Sequence, residues 1–451
     1  MAERSDTRKI TEGVIWKQLL SFFFPILLGT FFQQMYNTVD TIIVGRFVGT
    51  QALAAVGSTG ALISLLNGFF MGLSSGATVL VSQFFGANDR DGVRKALHTG
   101  TGLAIALGLL ISLLGLCFGP RILQMMQTPA DCLEDAVLYT RIFFSGAVAS
   151  MIYNMGAGIL RAMGDSKRPM IFLVITCFVN IFLDIFCILV LKMGVAGAAA
   201  ATVISQIISA VLVTAVLLRL PEEYSLRLRQ IRIDPLLLKR ILLVGVPAGL
   251  QFVTFDLANL LIQSGINSFG SVTIAAFTAY AKADMLTWML SGAMGVAITT
   301  FVGQNYGAQK YDRIHKSVRI CLGIGFILIG SCSAVIVFFR HFILGIFSAD
   351  PEVIRLGAWL MLWVVPFNAV FVPVEIFAGA MRGTGYSVVP TCITCICVCF
   401  FRVLWLIVVV SRFHTPEMLL VCYPISWLLA DIAFVITYLR KKWLYRSIEP
   451  A

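Results

Sequence analysis

Three polar side chains inside apolar runs are placed to do chemistry: Asp40, Asn180 and Asp184. Each ionisable group at the centre of a bilayer costs roughly 3 kcal/mol or more unless it is paired or meets water, so a carboxylate kept there has to be offset. Asn180 and Asp184 are four residues apart and share one face of a helix. Asp40 ends a polar stretch that includes Gln33, Gln34, Tyr36 and Asn37. Two carboxylates in a low-dielectric setting repel each other and favour a neutralising cation, either a shared proton or a bound Na+. The chemistry they suit is reversible cation binding. For Asp40, close to the end of its run, and for Asp184 as well, capping a helix end or meeting headgroup water is the competing reading.

The elements that must hold these residues are membrane helices. The 451-residue chain is 59% hydrophobic, only 13% charged and has a mean hydropathy of +0.90, too apolar for the surface of a soluble globule. Apolar runs of about 20 residues, enough to cross roughly 30 Å of hydrocarbon, separate the polar clusters. Twelve are expected, at 17–39, 51–82, 97–118, 136–160, 169–191, 194–218, 241–264, 272–302, 317–339, 354–379, 387–410 and 417–439. They are too long and too uniformly apolar for barrel strands. The fold class is therefore all-α, with twelve transmembrane helices.

The two halves repeat. At an offset of 221 residues, Ser82-Gln83-Phe84-Phe85-Gly86-Ala87 lands on Gly303-Gln304-Asn305-Tyr306-Gly307-Ala308. Gly158, Arg161, Gly164, Ser166 and Pro169 land likewise on Gly379, Arg382, Gly385, Ser387 and Pro390. A fixed register over so long a stretch means two copies of one unit. Six spans per copy make the copies parallel, related by an axis along the membrane normal. The expected division is a first lobe at 1–218 (helices 1 to 6), a cytoplasmic linker at 219–240 and a second lobe at 241–451 (helices 7 to 12).

Most of the 34 Lys and Arg residues fall at the N-terminus, after even-numbered spans and at the C-terminus, so both termini are expected in the cytoplasm. Loop charge of this kind meets anionic headgroups and accounts for most of the net +11 without nucleic acid. The polar start at Met1–Gly13 leads into a long apolar run with no small-residue cleavage pattern, and no removed signal peptide is expected. No large soluble domain and no phosphate loop or metalloprotease pair is present in the sequence, so no enzyme activity and no cofactor beyond the coupling ion is expected. The four histidines, His98, His315, His341 and His414, read as solvated loop residues. Cys392, Cys395, Cys397 and Cys399 read as small apolar packing groups.

The second half holds a different polar set: Asp256, Lys282, Asp284, Glu375 and Arg402. The repeat does not pair it with the first, because Asp40, Asn180 and Asp184 land on Leu261, Phe401 and Trp405. Lys282 with Asp284 or Glu375 would make an internal ion pair; the alternative is a functional role. Pro25 and Pro247 remove an amide donor inside spans 1 and 7, where a hinge or kink follows. Gly68, Gly72 and Gly76 permit close helix approach.

With the duplicated Gln83–Ala87 and Gln304–Ala308 segments, and Leu160-Arg161-Ala162-Met163-Gly164-Asp165 beside Met381-Arg382-Gly383-Thr384-Gly385, the chain resembles the multidrug and toxic compound extrusion (MATE) family over about residues 13–440. The resemblance implies two six-helix lobes forming a V around a cavity, and export of organic cations and other amphipaths against inward H+ or Na+. It is closest to the bacterial branch with an aspartate in helix 1 and Asn-x-x-x-Asp in helix 5, which assigns cation coupling to Asp40, Asn180 and Asp184. Supporting polar residues would be Gln34, Asn37, Tyr139 and Thr202, with a hinge at Pro25. Another branch uses a glutamate in helix 7 and an aspartate in helix 10; here the nearest residues are Asp256 and Glu375, and Asp256 is displaced by one position. The expected protein is a monomer in the cytoplasmic membrane whose partners are lipid and a small amphipathic substrate. The alternative within the superfamily is a flippase for a lipid-linked precursor, which would need several cationic residues in the cavity.

Overall fold

The computed structural model describes residues 10–126 and 128–445. Helices account for the membrane segments, and among the described residues no strand is present. The first six are α1 (Ile15–Val48), α2 (Thr50–Gly86), α3 (Arg90–Met125), α4 (Ala130–Ser145 and Ala147–Ala162, bent by 47°), α5 (Lys167–Val190) and α6 (Val195–Leu218). The second six are α7 (Pro235–Asn267), α8 (Ser271–Gly307), α9 (Tyr311–Phe338), α10 (Pro351–Gly383), α11 (Val388–Val410) and α12 (Pro416–Leu439). Eleven of these are long and apolar enough to span a membrane singly, and the bent α4 makes twelve when taken as one span. Most helices outrun the apolar stretches that predict them, because polar residues at their ends continue the backbone ladder. α1 runs past Asp40, which therefore lies inside the helix rather than at its end.

The 221-residue register reaches the element boundaries. Thr50–Gly86 maps onto Ser271–Gly307, and Val195–Leu218 maps end to end onto Pro416–Leu439.

The chain forms two compact units. The first is Phe24–Val246, and the second comprises Ile10–Phe23 together with the chain from Pro247 onward. Each unit is thus completed by the segment that leads into the other unit's repeat, and the chain changes unit beside Pro25 and at Pro247, inside α1 and α7.

In the first unit a core of buried apolar residues from α2, α3 and α4, including Phe70, Leu97, Phe144, Met151 and Ile159, is extended by residues of the 219–240 stretch. Leu226 is buried, Tyr224 sets its ring 5.7 Å from Phe85, and Ile231 and Ile233 cover Gly102. Asp234 N–H donates to Thr99 Oγ1 at 3.2 Å. The start of α7 then meets α2 backbone to backbone: a Cβ on Gly76 would collide with the Ile241 carbonyl and lie 2.9 Å from Gly245 N. Only glycine permits that approach.

His98 departs from the reading as a solvated loop residue. It is buried on α3, where its Nδ1 lies 2.7 Å from Arg94 O and its Nε2 accepts the Arg227 backbone N–H at 3.1 Å. A backbone amide that would otherwise be orphaned at the end of a surface stretch explains why an imidazole is kept there. His315 also lies on a helix, within 2.8 Å of Tyr438 Oη, whereas His341 and His414 are exposed.

In the second unit the N-terminal segment is fixed by charged donors. Arg313 donates to the carbonyls of Ile10, Glu12 and Gly13 and to Gln18 Oε1, and Lys310 Nζ donates to Thr11 O at 3.0 Å. Ile10 N–H donates to Oε1 of Gln304, the repeated glutamine, at 3.3 Å.

Candidate functional site

In the first unit the phase of α1 decides which polar residues meet. Gln33, Tyr36 and Asp40 are three and four residues apart and form one stripe. Asp40 is 7% exposed, and Tyr36 lies within its electrostatic reach and in hydrogen-bonding contact with Gln33. Gln34 and Asn37 stand off that stripe. Asn37 is exposed and donates to Gln34 Oε1 at 3.4 Å, so these two expected supporting residues serve each other, while Tyr36 takes the position beside the carboxylate and Gln33 backs Tyr36.

α5 presents Asn180 and Asp184, both with 0% exposure. Asp184 lies within electrostatic reach of Asp40. Tyr139 of α4 lies within electrostatic reach of both carboxylates and is in hydrogen-bonding contact with Thr202 of α6. Four helices therefore converge on one polar cluster.

Its polar atoms are unmatched. Asp40 Oδ1, both Asp184 carboxylate oxygens, and Asn180 Oδ1 and Nδ2 are buried and make no hydrogen bond. Leaving such atoms unpaired costs about 1–3 kcal/mol each, so a site built this way has room in its energetics for a ligand. Carboxylate and amide oxygens suit a hard cation or a proton, and the donor set fits either. Among the described residues no group of three His, Cys, Asp or Glu stands ready for a transition metal.

Both carboxylate-bearing helices end in a wide turn. α1 turns from α to π geometry at Val44–Val48, closed by Gly49 N–H to Val44 O at 3.1 Å. α5 does the same at Phe186–Val190, closed by Leu191 N–H to Phe186 O at 3.0 Å. π turns distort the helix and are frequent at functional sites. Here they feed Val44 and Ile188 into an apolar cluster with Ile43, Ala52, Phe143 and Val195, which closes the site on the side of those turns.

On another side lies a polar cavity of about 410 Å³, counting its open mouth, lined by Gln33, Tyr36, Asn154, Thr202, Ser205 and Gln206 among others. Tyr36 and Thr202 belong to both the cavity and the surroundings of the carboxylates. Ser205 Oγ and Gln206 Oε1 are buried without partners.

The second-unit candidates do not make the expected ion pair. Lys282 is exposed. Asp284, 1% exposed, instead accepts from Asn368 Nδ2 at 2.6 Å and Trp288 Nε1 at 3.0 Å. Glu375 pairs with Arg382 at 3.1 Å, and Arg382 also donates to Gln251 Oε1, whose amide donates to Thr394 Oγ1. The reason lies in helix phase: Lys282 is two residues from Asp284 and points elsewhere, whereas Glu375 and Arg382 are seven apart, two turns along one face. Asp256 is half-buried on α7.

A duplicated six-helix unit, apolar enough to cross a membrane eleven or twelve times and carrying a buried carboxylate cluster in one copy, defines a polytopic membrane protein of the transporter type. Residues 25–186 and 247–408 each match the sequence profile of MatE, one match per repeat, and the chain belongs to that family. It is 30% identical to the probable multidrug resistance protein YoeA of Bacillus subtilis over 86% of this chain and 85% of that protein. It is 26% identical to the probable multidrug resistance protein NorM of Thermotoga maritima, over 96% and 94% of the two chains. Among solved structures, the outward-facing conformation of a multidrug resistance MATE family transporter of the MOP superfamily aligns with a TM-score of 0.91 at 23% identity, over 99% of this chain and all of that one. A MOP superfamily transporter from Pyrococcus furiosus aligns equally well. At that identity the likeness establishes the fold.

Proposed function

We propose that the protein is a cation-coupled multidrug efflux antiporter that exchanges inward H+ or Na+ for amphipathic or cationic small molecules by alternating access. One observation carries this reading: buried, hydrogen-bond-free atoms on Asp40, Asn180 and Asp184 converge in one cluster. The multidrug resistance names of the relatives support the substrate class.

A cation entering the cluster neutralises two carboxylates and satisfies their oxygens. The state in which α1 and α5 close around it is thereby stabilised over the state in which they do not, and that differential affinity is all a coupling ion needs to bias the exchange. Pro25 leaves a gap in the α1 ladder below Asp40, where the helix can bend as the cluster changes charge. The polar cavity beside Tyr36 and Thr202 offers the ion a hydrated approach.

The test is transport by purified protein in liposomes with a pH or a Na+ gradient imposed separately. Concentrative export driven by one of them, lost in Asp40→Asn and Asp184→Asn, is expected. Wild-type gradient-driven export by both variants would falsify the assignment, and movement of a lipid-linked precursor without a gradient would favour the flippase reading.

A further inference from the structure

The second unit contains a buried cation that the coupling scheme does not use. Arg402 of α11 is 1% exposed, with no carboxylate at ion-pair distance among the described residues. Its Nε donates to Ser426 Oγ at 3.1 Å, its guanidinium covers the Tyr423 ring at 4.1 Å, and its Nη2 makes no hydrogen bond. Tyr280 and Tyr423 are each within electrostatic reach of both Arg402 and the buried carboxylate of Asp284, which is itself bonded to Asn368 and Trp288.

The repeat shows what position this is. Because α6 and α12 map end to end at 221 residues, Thr202, Ser205 and Gln206 correspond to Tyr423, Ser426 and Trp427. Arg402 itself corresponds to Ile181, next to Asn180. In the first unit, Thr202, Ser205 and Gln206 line the polar cavity beside the unmatched carboxylates. In the second, the same register holds a guanidinium, with Trp427 fully buried against Tyr423 and Trp288.

We infer that Arg402 is a built-in cation: its guanidinium, held by Ser426 and Tyr423, fills in the second lobe the position that an exchangeable cation takes in the first. The second lobe then keeps one charge state throughout the cycle, and only the first exchanges an ion. The comparison between lobes rests on the coupling role proposed for Asp40 and Asp184. The occupant of the second site does not.

Chemical rescue tests it. In purified protein, Arg402→Ala should lower the apparent Tm by several degrees, and millimolar guanidinium chloride should restore most of that loss. The same concentration of NaCl or urea should not, and the wild type should not respond. Arg402→Met, which fills the space with an apolar chain, should be destabilised but not rescued. A guanidinium response equal in wild type and Arg402→Ala, or none in the variant, overturns the inference. Where Arg402→Ala does not fold, Arg402→Met/Ser426→Ala decides: if Ser426 holds the guanidinium, the double variant is more stable than the sum of the single losses, and simple additivity refutes it. Asp40→Asn in the Arg402→Ala background separates the two ideas. Rescue that persists while Na+ or pH no longer shifts stability supports both; an unaltered Na+ and pH response sinks the coupling role alone, and loss of rescue sinks the built-in cation alone.

Discussion

Replacing Asp184 with asparagine should stabilise the protein while stopping its work. The side chain has no exposure, and neither carboxylate oxygen accepts a hydrogen bond. Asparagine keeps the shape and one acceptor but removes the charge that Asp40 opposes. A buried charge left unsatisfied costs more than the about 1–3 kcal/mol of a neutral polar group, and since the amide keeps one acceptor and puts an N–H donor in place of the other, the gain comes from the lost charge and should be about 2 kcal/mol. For a cooperative unit of this size each kcal/mol moves Tm by roughly 2–4 °C, so the expected rise is about 4–8 °C. The sign depends on conditions. The gain is full where the wild-type cluster is ionised, at alkaline pH without Na+, and shrinks as falling pH or a bound ion neutralises it. Thermal unfolding of purified wild type and Asp184→Asn, across pH and with Na+ or choline as the salt, reads this directly. A lower Tm for the variant at alkaline pH, or a gain that ignores both pH and Na+, refutes the reasoning.

Gly76→Ala should cost about 3 kcal/mol by forcing α2 off the start of α7. Gly57→Ala, in open space on the same helix, should be neutral or slightly stabilising; equal melting temperatures for the two would contradict the close contact. His98→Ala orphans the Arg227 amide, and hydrogen exchange over 224–234 should quicken roughly 5- to 30-fold, the equivalent of about 1–2 kcal/mol; unchanged exchange would mean the bond holds nothing. Glu375→Gln should destabilise by about 2 kcal/mol, discounted for the partial exposure of Glu375. That loss should largely disappear in an Arg382→Met background, and full additivity in the double-mutant cycle would show that the pair is not coupled.

Asp40, Asn180 and Asp184 were legible in the sequence because charge inside an apolar run is conspicuous whatever the packing. The repeat was equally plain, since a fixed register survives in Gln83 and Gln304, in the last turns of α2 and α8. What the sequence did not show was azimuth. Whether Gln34, Asn37 or Tyr36 faces Asp40 depends on helix phase and neighbours: a count of three and four residues back gives Asn37 and Tyr36, yet Asn37 turns to Gln34 and Tyr36 alone of the two lies within reach of the carboxylate. Long-range partners were hidden too: Asn368 meets Asp284 across 84 positions, and His98 meets Arg227 across 129. The π turns at Val44–Val48 and Phe186–Val190 carry no distinctive composition, being apolar residues like those around them.

The exchange of leading segments bears on ancestry and on dissection. A single six-helix copy, standing alone, would lack the stretch that Arg313 and Gln304 grip in one unit, or the stretch that His98 and Thr99 grip in the other. Two identical copies trading these stretches would each supply what the other lacked. A lone-copy ancestor built this way would have been an obligate pair before its gene was doubled. Severing the present chain between α6 and Tyr224 should therefore yield halves that fold only when made together.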